Sequence, residues 1–291
     1  MSNIVLTGAN GFLGSHLLEA LLRAGHKVTV LKRSTSDLWR IHLLMGQVRV
    51  VNVDQASIDS AFHHGGIDVV IHTACSYGRH GQSTTAIVES NLVYGLKVLD
   101  SAISAGVRTF INTDTLLPRT LNPYSLSKHQ LTDWLTLKSA QIQVINLKLE
   151  HMYGPKDDET KFVPWLIGQL RAGAVRIPLT EGLQQRDFIY IDDVVNAFNT
   201  VLGHREALRP FSDFEVGTGT LTSVRAFVEA LYRAYEARHP DTKTDLGFGD
   251  IPIREGELMK IDLDNSALRQ MGWQAETSIE KGLSILLGEN A

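Results

Sequence analysis

A short apolar run, Ile4-Val5-Leu6, leads into the turn Thr7-Gly8-Ala9-Asn10-Gly11-Phe12-Leu13-Gly14, and apolar residues then recur at helical spacing as Leu13, Leu17, Leu18, Leu21 and Leu22. Few segments constrain a fold as tightly as strand, glycine turn and amphipathic helix in that order. Glycine permits the sharp turn, lets backbone N–H groups approach a pyrophosphate, and lets helix lie close on strand, while the helix N-terminus favours negative charge. A glycine triplet alone says little; the flanking strand and helix supply the context that gives it meaning. Gly8, Asn10, Gly11, Phe12, Leu13 and Gly14 are therefore candidate contacts for a dinucleotide.

The same alternation continues to about residue 148. Strand-like runs at 28–31, 48–53, 68–71, 109–112 and 143–147 are separated by segments of helical period, beginning with 12–24. Such βαβ repetition predicts a parallel sheet covered on both faces, and right-handed crossovers make it an α/β, Rossmann-type doubly wound sheet. Beyond 150 the pattern weakens at Pro155, Pro164 and Pro178, before helical stretches return at 194–202, 223–234 and 278–287. Residues 1–155 are expected to form the dinucleotide-binding domain and 156–291 mainly a smaller C-terminal, substrate-binding lobe, with segments near 186–216 returning to the first. With no repeat, low-complexity tract or linker, the two should pack over a shared cleft.

At 291 residues and 43% hydrophobic content the chain can bury a substantial core. A net charge of -4 with scattered Lys and Arg offers no stripe for nucleic acid and no polybasic membrane patch. No apolar run approaches the ~20 residues of a membrane span, and the amino terminus has no signal-peptide core, so a cytoplasmic protein is expected. A single cysteine, Cys75, excludes an internal disulfide and is a poor start for a metal site. His63, His64 and His80 show no convergent ligand set, so surface histidines and no metal are expected.

At the end of the second strand, where NAD-binding folds usually place an acidic residue for the ribose, the chain reads Lys32-Arg33-Ser34. Two cations and a hydroxyl suit a 2′-phosphate, so NADP(H) is favoured over NAD(H); the alternative is a solvated charge pair on a loop. Asp54 and Gln55 follow the third strand and could meet the adenine edge, or Asp54 could cap a helix from Ile58 onward.

Asn122-Pro123 reads as an N-cap with proline at the first helical position, which puts Tyr124 and Lys128 four apart on one helix face. A nearby ammonium should pull the phenol pKa down, and hydride transfer to a ketone builds alkoxide character that Tyr124 could protonate with help from the hydroxyl of Thr113. Outside this context Tyr-x-x-x-Lys would be an ordinary helix-surface pair.

These motifs together resemble the extended short-chain dehydrogenase/reductases, the NAD-dependent epimerase/dehydratase group. The resemblance runs through the glycine loop, Asp54, His72-Thr73-Ala74-Cys75, Asn91, Thr113, Tyr124, Lys128, Tyr153-Gly154-Pro155, Arg186-Asp187-Phe188, Val216-Gly217-Thr218-Gly219 and Met271-Gly272-Trp273. It implies that Asp54 meets the adenine, Ala74 lines the dinucleotide, Asn91 is structural, and Lys128 also holds the nicotinamide ribose. Arg186 and Arg254 would contact a nucleotide-diphosphate sugar substrate, bidentate pairing with phosphate being the reason for arginine; local ion pairs are the alternative. It further implies a homodimer through helices around 83–105 and 123–138.

Departures from the family pattern narrow the reaction. Dehydratases carry Asp-Glu after the threonine, whereas Thr113 is followed by Asp114 and Thr115, so sugar dehydration is disfavoured. Asp114 could still meet substrate, or stabilise a turn. Relatives usually show Arg and Asn where this chain has Lys148 and His151; His151 could still donate to a substrate phosphate. Tyr77 and Arg79 fall on a loop that could reach the sugar. Residues 112–128 are similar to CDP-sugar 4-reductases of the abequose/paratose type, so the expected activity is NADPH-dependent reduction of a nucleotide-linked 4-keto-6-deoxysugar. The alternatives are a nucleotide-sugar 4-epimerase with tightly bound NAD and, from another class, a non-catalytic dinucleotide-binding regulatory protein.

Overall fold

The first strand sets the pattern of the whole sheet, because its apolar residues are buried on alternate faces. Val5 packs into one core and Ile4 and Leu6 into the other. In the computed structural model, which describes residues 1–63, 66–79 and 81–288, β1 (Asn3–Thr7) is followed by α1 (Phe12–Arg23), β2 (Lys27–Lys32), β3 (Arg49–Asn52) and β4 (Val69–His72). Next come α2 (Thr84–Val88), α3 (Tyr94–Ser104), β5 (Thr109–Thr115), α4 (Pro123–Lys138) and β6 (Gln143–Leu149). With β11 (Phe211–Val216), these strands form a seven-stranded sheet in the order β11-β6-β5-β4-β1-β2-β3, every pair parallel. The strand order reverses between β1 and β4, and a doubly wound sheet binds its ligand at that crevice.

Each face of the sheet has its own core. Ile4, Leu6, Val30, Ile71, Ile111 and Ile145 meet Leu17, Leu18 and Leu21 of α1. Val5, Leu31, Val70, Phe110 and Val144 meet Val98 and Leu99 of α3 and Leu131 and Leu135 of α4. The remaining elements are β7 (His151–Tyr153), α5 (Phe162–Arg171), β8 (Arg176–Leu179), β9 (Gln185–Arg186), β10 (Phe188–Tyr190), α6 (Ile191–His204), β12 (Thr222–Ser223), α7 (Val224–Glu236), β13 (Asp245–Phe248), α8 (Ser266–Gln270) and α9 (Ile279–Gly288), and the first core continues into all of them except β9 and β12. Among these, β7 with β10, β9 with β12 and β8 with β13 make three two-stranded sheets.

Three local differences from the sequence expectations have physical causes. Strand β5 runs through Thr115 rather than ending near Thr113, because Asp114 and Thr115 are paired with Lys148 and Leu149 of β6 and are buried. Ile58 begins only a short 3₁₀ turn (Ile58–Ala61), and the hydroxyl of Ser57, not Asp54, caps it. The helix expected around 83–105 contains a π-helical turn, Glu89–Val93, which turns Asn91 wholly inward. His63 is exposed, while His64 and His80 lie outside the described residues.

Gly8 and Gly14 show why the first loop needs glycine. Gly8 has φ +69°, and a Cβ there would meet the Ala74 backbone nitrogen at 2.6 Å. A Cβ on Gly14 would lie 2.0 Å from the Gly8 carbonyl oxygen and 2.9 Å from the Ala9 Cα. Both obstacles to Gly14 are backbone, so Gly14→Ala should cost about 1–3 kcal/mol of stability through forced displacement. Chemical denaturation would read this as a lowered midpoint, and an unchanged midpoint would contradict the close packing.

Candidate active site

The carboxyl ends of β1, β4, β5 and β6 open onto a cleft of about 1600 Å³, closed on the far side by α5, β8 and the segment 251–261. That exceeds the roughly 300–1,000 Å³ of a pocket for one drug-sized ligand, so there is room for two extended molecules. Gly8, Asn10, Gly11, Phe12, Leu13, Gly14, Lys32, Arg33 and Ala74 line it together with Tyr77, Thr113, Asp114, Tyr124, Lys128, His151, Arg186 and Arg254.

Ser34, Asp54 and Gln55 are not part of that lining. The Asp54 carboxylate accepts hydrogen bonds from the backbone N–H (2.8 Å) and hydroxyl (2.5 Å) of Ser34, which hold its pKa below the ordinary value. Gln55 accepts from the side chain of Asn52. Ser34 and Asp54 thus satisfy each other across the ends of β2 and β3, and Ser36 and Arg40 line the cleft instead. Arg40 donates from Nε to the Lys156 carbonyl and from Nη1 to the Asn10 carbonyl, reaching from the glycine loop to the start of the second lobe.

The Tyr124 helix begins as its sequence predicts. Asn122 Oδ1 accepts from the Ser125 N–H at 2.8 Å, with Pro123 at the first position. Lys128 is buried, and its Nζ has no hydrogen-bond partner from the protein. An ammonium in that condition is costly unless ligand oxygens meet it, and together with the glycine cradle this fits a dinucleotide lying across the cleft.

The phenol of Tyr124 departs from expectation. Burial, followed by Tyr77, Cys75 and Asp114, pushes its pKa well above the ordinary value, while a hydrogen bond with the Thr115 hydroxyl acts the other way. Burial is thus the largest influence on the phenol, and the downward pull expected from Lys128 is not among the influences on it. The Tyr77 ring lies against Tyr124 at a tilt of 32° with centroids 4.8 Å apart, and Lys161 Nζ stands 5.4 Å over the Tyr77 ring. Lys161 is itself paired with the nearly buried Asp157 at 2.8 Å.

The hydroxyl proton of Thr113 is committed to the His72 carbonyl at 2.5 Å, leaving its lone pairs for the cleft. The hydroxyl that meets the phenol is that of Thr115, a position singled out in the sequence only for lacking a carboxylate. Asp114 is 3% exposed, and its carboxylate is taken up by the Thr115 N–H, the Thr132 hydroxyl and Asn146 Nδ2. It braces β5 against α4 and β6, and it also lines the cleft. Asn91 is a second strut: Oδ1 accepts from the Ser76 N–H, and Nδ2 donates to the Ser76 carbonyl and the Ser127 hydroxyl.

On the opposite wall, Arg186 pairs with Glu257 at 2.6 Å, and Arg254 is exposed on the same segment as Glu257. His151 is half-exposed, with Nδ1 2.7 Å from Oε2 of Glu150. Sequence reasoning passed over Ser36, Arg40, Thr115, Glu150, Asp157 and Lys161. Thr115 and Glu150 each adjoined a residue already chosen, Asp114 and His151. Among the described residues no group of three or more His, Cys, Asp or Glu is placed to hold a metal ion, and no helix is long and apolar enough to cross a membrane.

Residues 4–217 match the model of the NAD dependent epimerase/dehydratase family. The chain belongs to that family. It is an enzyme of the extended short-chain dehydrogenase/reductase type. CDP-abequose synthase of Salmonella typhimurium is 33% identical, covering 98% of this chain and 97% of the relative. A putative UDP-glucose 4-epimerase of Methanocaldococcus jannaschii is 25% identical over 96% of this chain and 95% of its own length. Among solved structures, UDP-glucose 4-epimerase of Thermotoga maritima with UDP-glucose superposes with a TM-score of 0.82 at 23% identity, covering 98% and 97% of the two chains. UDP-glucuronic acid 4-epimerase of Bacillus cereus with UDP-glucuronic acid and NAD gives 0.82 at 21%, covering 98% of each. Both structures share the fold of this family member.

His72 ties the two central strands together beneath the cleft. The Thr7 hydroxyl oxygen accepts from the N–H groups of Thr73 and Ala74, so its own proton goes to His72 Nδ1 at 2.9 Å. The ring is fully buried, and burial, then Lys128, lowers its pKa to about 3. The folded state therefore holds a neutral ring, while the unfolded chain takes up a proton as pH falls below about 6.5. This group makes stability fall by up to about 1.4 kcal/mol per pH unit from that point down towards pH 3. Denaturation as a function of pH should show the acid limb flattened in His72→Asn, and an identical limb in both proteins would remove His72 as its source.

Proposed function

We propose that this family member is an NADPH-dependent reductase that converts the C4 ketone of a nucleotide-linked 4-keto-6-deoxysugar to an alcohol. The observation that carries this reading is the pair Lys32 and Arg33 lining the cleft at the end of β2. Cations there suit a 2′-phosphate, and hence a cofactor exchanged at each turnover rather than an NAD retained for returning a hydride. The full-length similarity to a CDP-abequose synthase supports the substrate class. The commitment of Asp114, with threonine at 115, argues against dehydration, which needs a free acid and base. Residues 1–155 are assigned mainly to the cofactor and 156–291 mainly to the sugar nucleotide, with Tyr77, His151, Arg186 and Arg254 as substrate contacts.

In this mechanism Gly8, Gly11 and the N-terminus of α1 would hold the cofactor diphosphate, Ala74 would line the dinucleotide, and Lys128 would hold the nicotinamide ribose. When bound, reduced nicotinamide supplies the hydride. Tyr124 would give its phenolic proton to the ketone oxygen as negative charge develops there. Burial suits the phenol to this task, because it keeps the proton until a far stronger base, the alkoxide, develops. The Thr115 hydroxyl would then stabilise the phenolate until solvent returns a proton. Thr113, its proton held by the His72 carbonyl, would line the site by packing and accept a hydrogen bond from the product hydroxyl once that forms.

Incubation with NADPH and a panel of nucleotide 4-ketosugars, following loss of cofactor absorbance, tests the activity. NAD co-purifying with the protein and no net consumption of NADPH would instead point to an epimerase. Tyr124→Phe should reduce turnover at least ~100-fold with the dissociation constant for NADPH nearly unchanged. Arg33→Ala should weaken NADPH by about tenfold while leaving NADH as it was; equal losses for both would overturn the 2′-phosphate assignment. We further propose a homodimer through the helices at 84–104 and 123–138, since Leu126, Trp134 and Leu137 of α4 are exposed. Leu137→Glu should halve the mass seen by light scattering.

A further inference from the structure

Glu150 sits where the chain leaves the main sheet. Its N–H still bonds to Val216 of β11, yet the next residue, His151, begins the pairing of β7 with β10, and a tight bond from the Met152 N–H to the Glu150 carbonyl makes the bend. The Glu150 side chain is 1% exposed. Its Oε2 accepts from the His151 backbone N–H at 3.1 Å and lies 2.7 Å from the ring Nδ1, while Oε1 has no partner from the protein. Burying a carboxylate is unfavourable unless it is paired, and the ring of His151 is the side chain placed to pair with it.

That contact fixes the chemistry of the other ring nitrogen. With Nδ1–H given to Glu150, a neutral ring has only a lone pair at Nε2; Nε2 becomes a donor only in the imidazolium form. The ring lines the cleft, its side chain is 40% exposed, and it packs edge-on to Phe188. The other charged groups of this wall are Asp187 on the neighbouring strand, whose carboxylate is held by Thr218 and Gly219, the Arg186–Glu257 pair, and Lys148 with Asp213 on the sheet side.

We propose that Glu150 is a positioning residue that fixes the tautomer of His151, so that this chain grips the substrate diphosphate with a histidine donor present only when the ring is protonated. This rests on the reading of the cleft as a sugar-nucleotide site. An amide side chain at this position would offer a donor at any pH. Here affinity for the sugar nucleotide falls as pH rises through the histidine range.

The test is calorimetric titration of the full chain with CDP-glucose and with UDP-glucose between about pH 5 and 8. Their diphosphates are esterified at both ends and keep a constant charge over that range, so a change in affinity reports the protein. Wild type should lose about tenfold in affinity from the acid to the alkaline end. His151→Asn should bind with almost no pH dependence, and Glu150→Gln, whose amide accepts either tautomer, should show a shallower slope. A flat wild-type profile, or a slope retained in His151→Asn, overturns the proposal while leaving the sugar-nucleotide reading intact. Failure of wild type to bind either compound at any pH overturns both. Should Glu150→Gln melt well below wild type, His151→Asn alone decides.

Discussion

Three pieces of backbone meet at Gly8 with no room for a side-chain carbon: the end of β1, the start of α1 and the turn after β4. That contact places the cleft. Because Gly14 lies against the Gly8 carbonyl, α1 starts close over the sheet, and its free N–H groups face the point where the strand order reverses. Thr7 and His72 hold the same junction from below, and the carbonyl of His72 in turn fixes Thr113. Geometry at the cofactor end therefore passes to the reacting end through the tips of adjacent strands.

The reacting end is built on desolvation. Tyr124 and Lys128 share one face of α4 and sit among groups that raise the cost of charge, so the phenol is kept as an acid and the ammonium is left for oxygens brought in by a ligand. Asp114, which a motif reading would count as a reactive carboxyl, spends its lone pairs on Thr115, Thr132 and Asn146. Three donors on one buried carboxylate hold β5, β6 and α4 in register.

The elements whose residues repeat a simple period could be read directly. Buried strands such as Val69–His72 and the apolar stripe of α1 carry their environment in their composition, as do the Asn122-Pro123 cap and the glycine loop. The tail of β5 was missed because Thr113, Asp114 and Thr115 are polar, and only their side-chain partners explain why they are buried. Ser34 with Asp54 and Lys161 with Asp157 were hidden for a related reason: each is defined by which oppositely matched group folds against it. Arg40 belongs to no motif, and it reaches the cleft because two loops far apart in the chain converge on it. The direction of the Tyr124 shift needed the depth of the cleft, which no local spacing encodes.

Asn91 joins the Ser76 loop, and through it Tyr77, to Ser127 beside Lys128. The wall of the cleft that does chemistry is thus one stiff piece, braced on α4 and on the π turn that turns Asn91 inward. The facing wall is made of short two-stranded sheets and a segment bounded by Gly249 and Gly256, both with positive φ. Tolerance is therefore unequal on the two sides. Under the proposed mechanism, sequence drift on the facing wall would retune which sugar fits without disturbing the Tyr124 helix, so new substrates would lie closer to this scaffold than a new reaction.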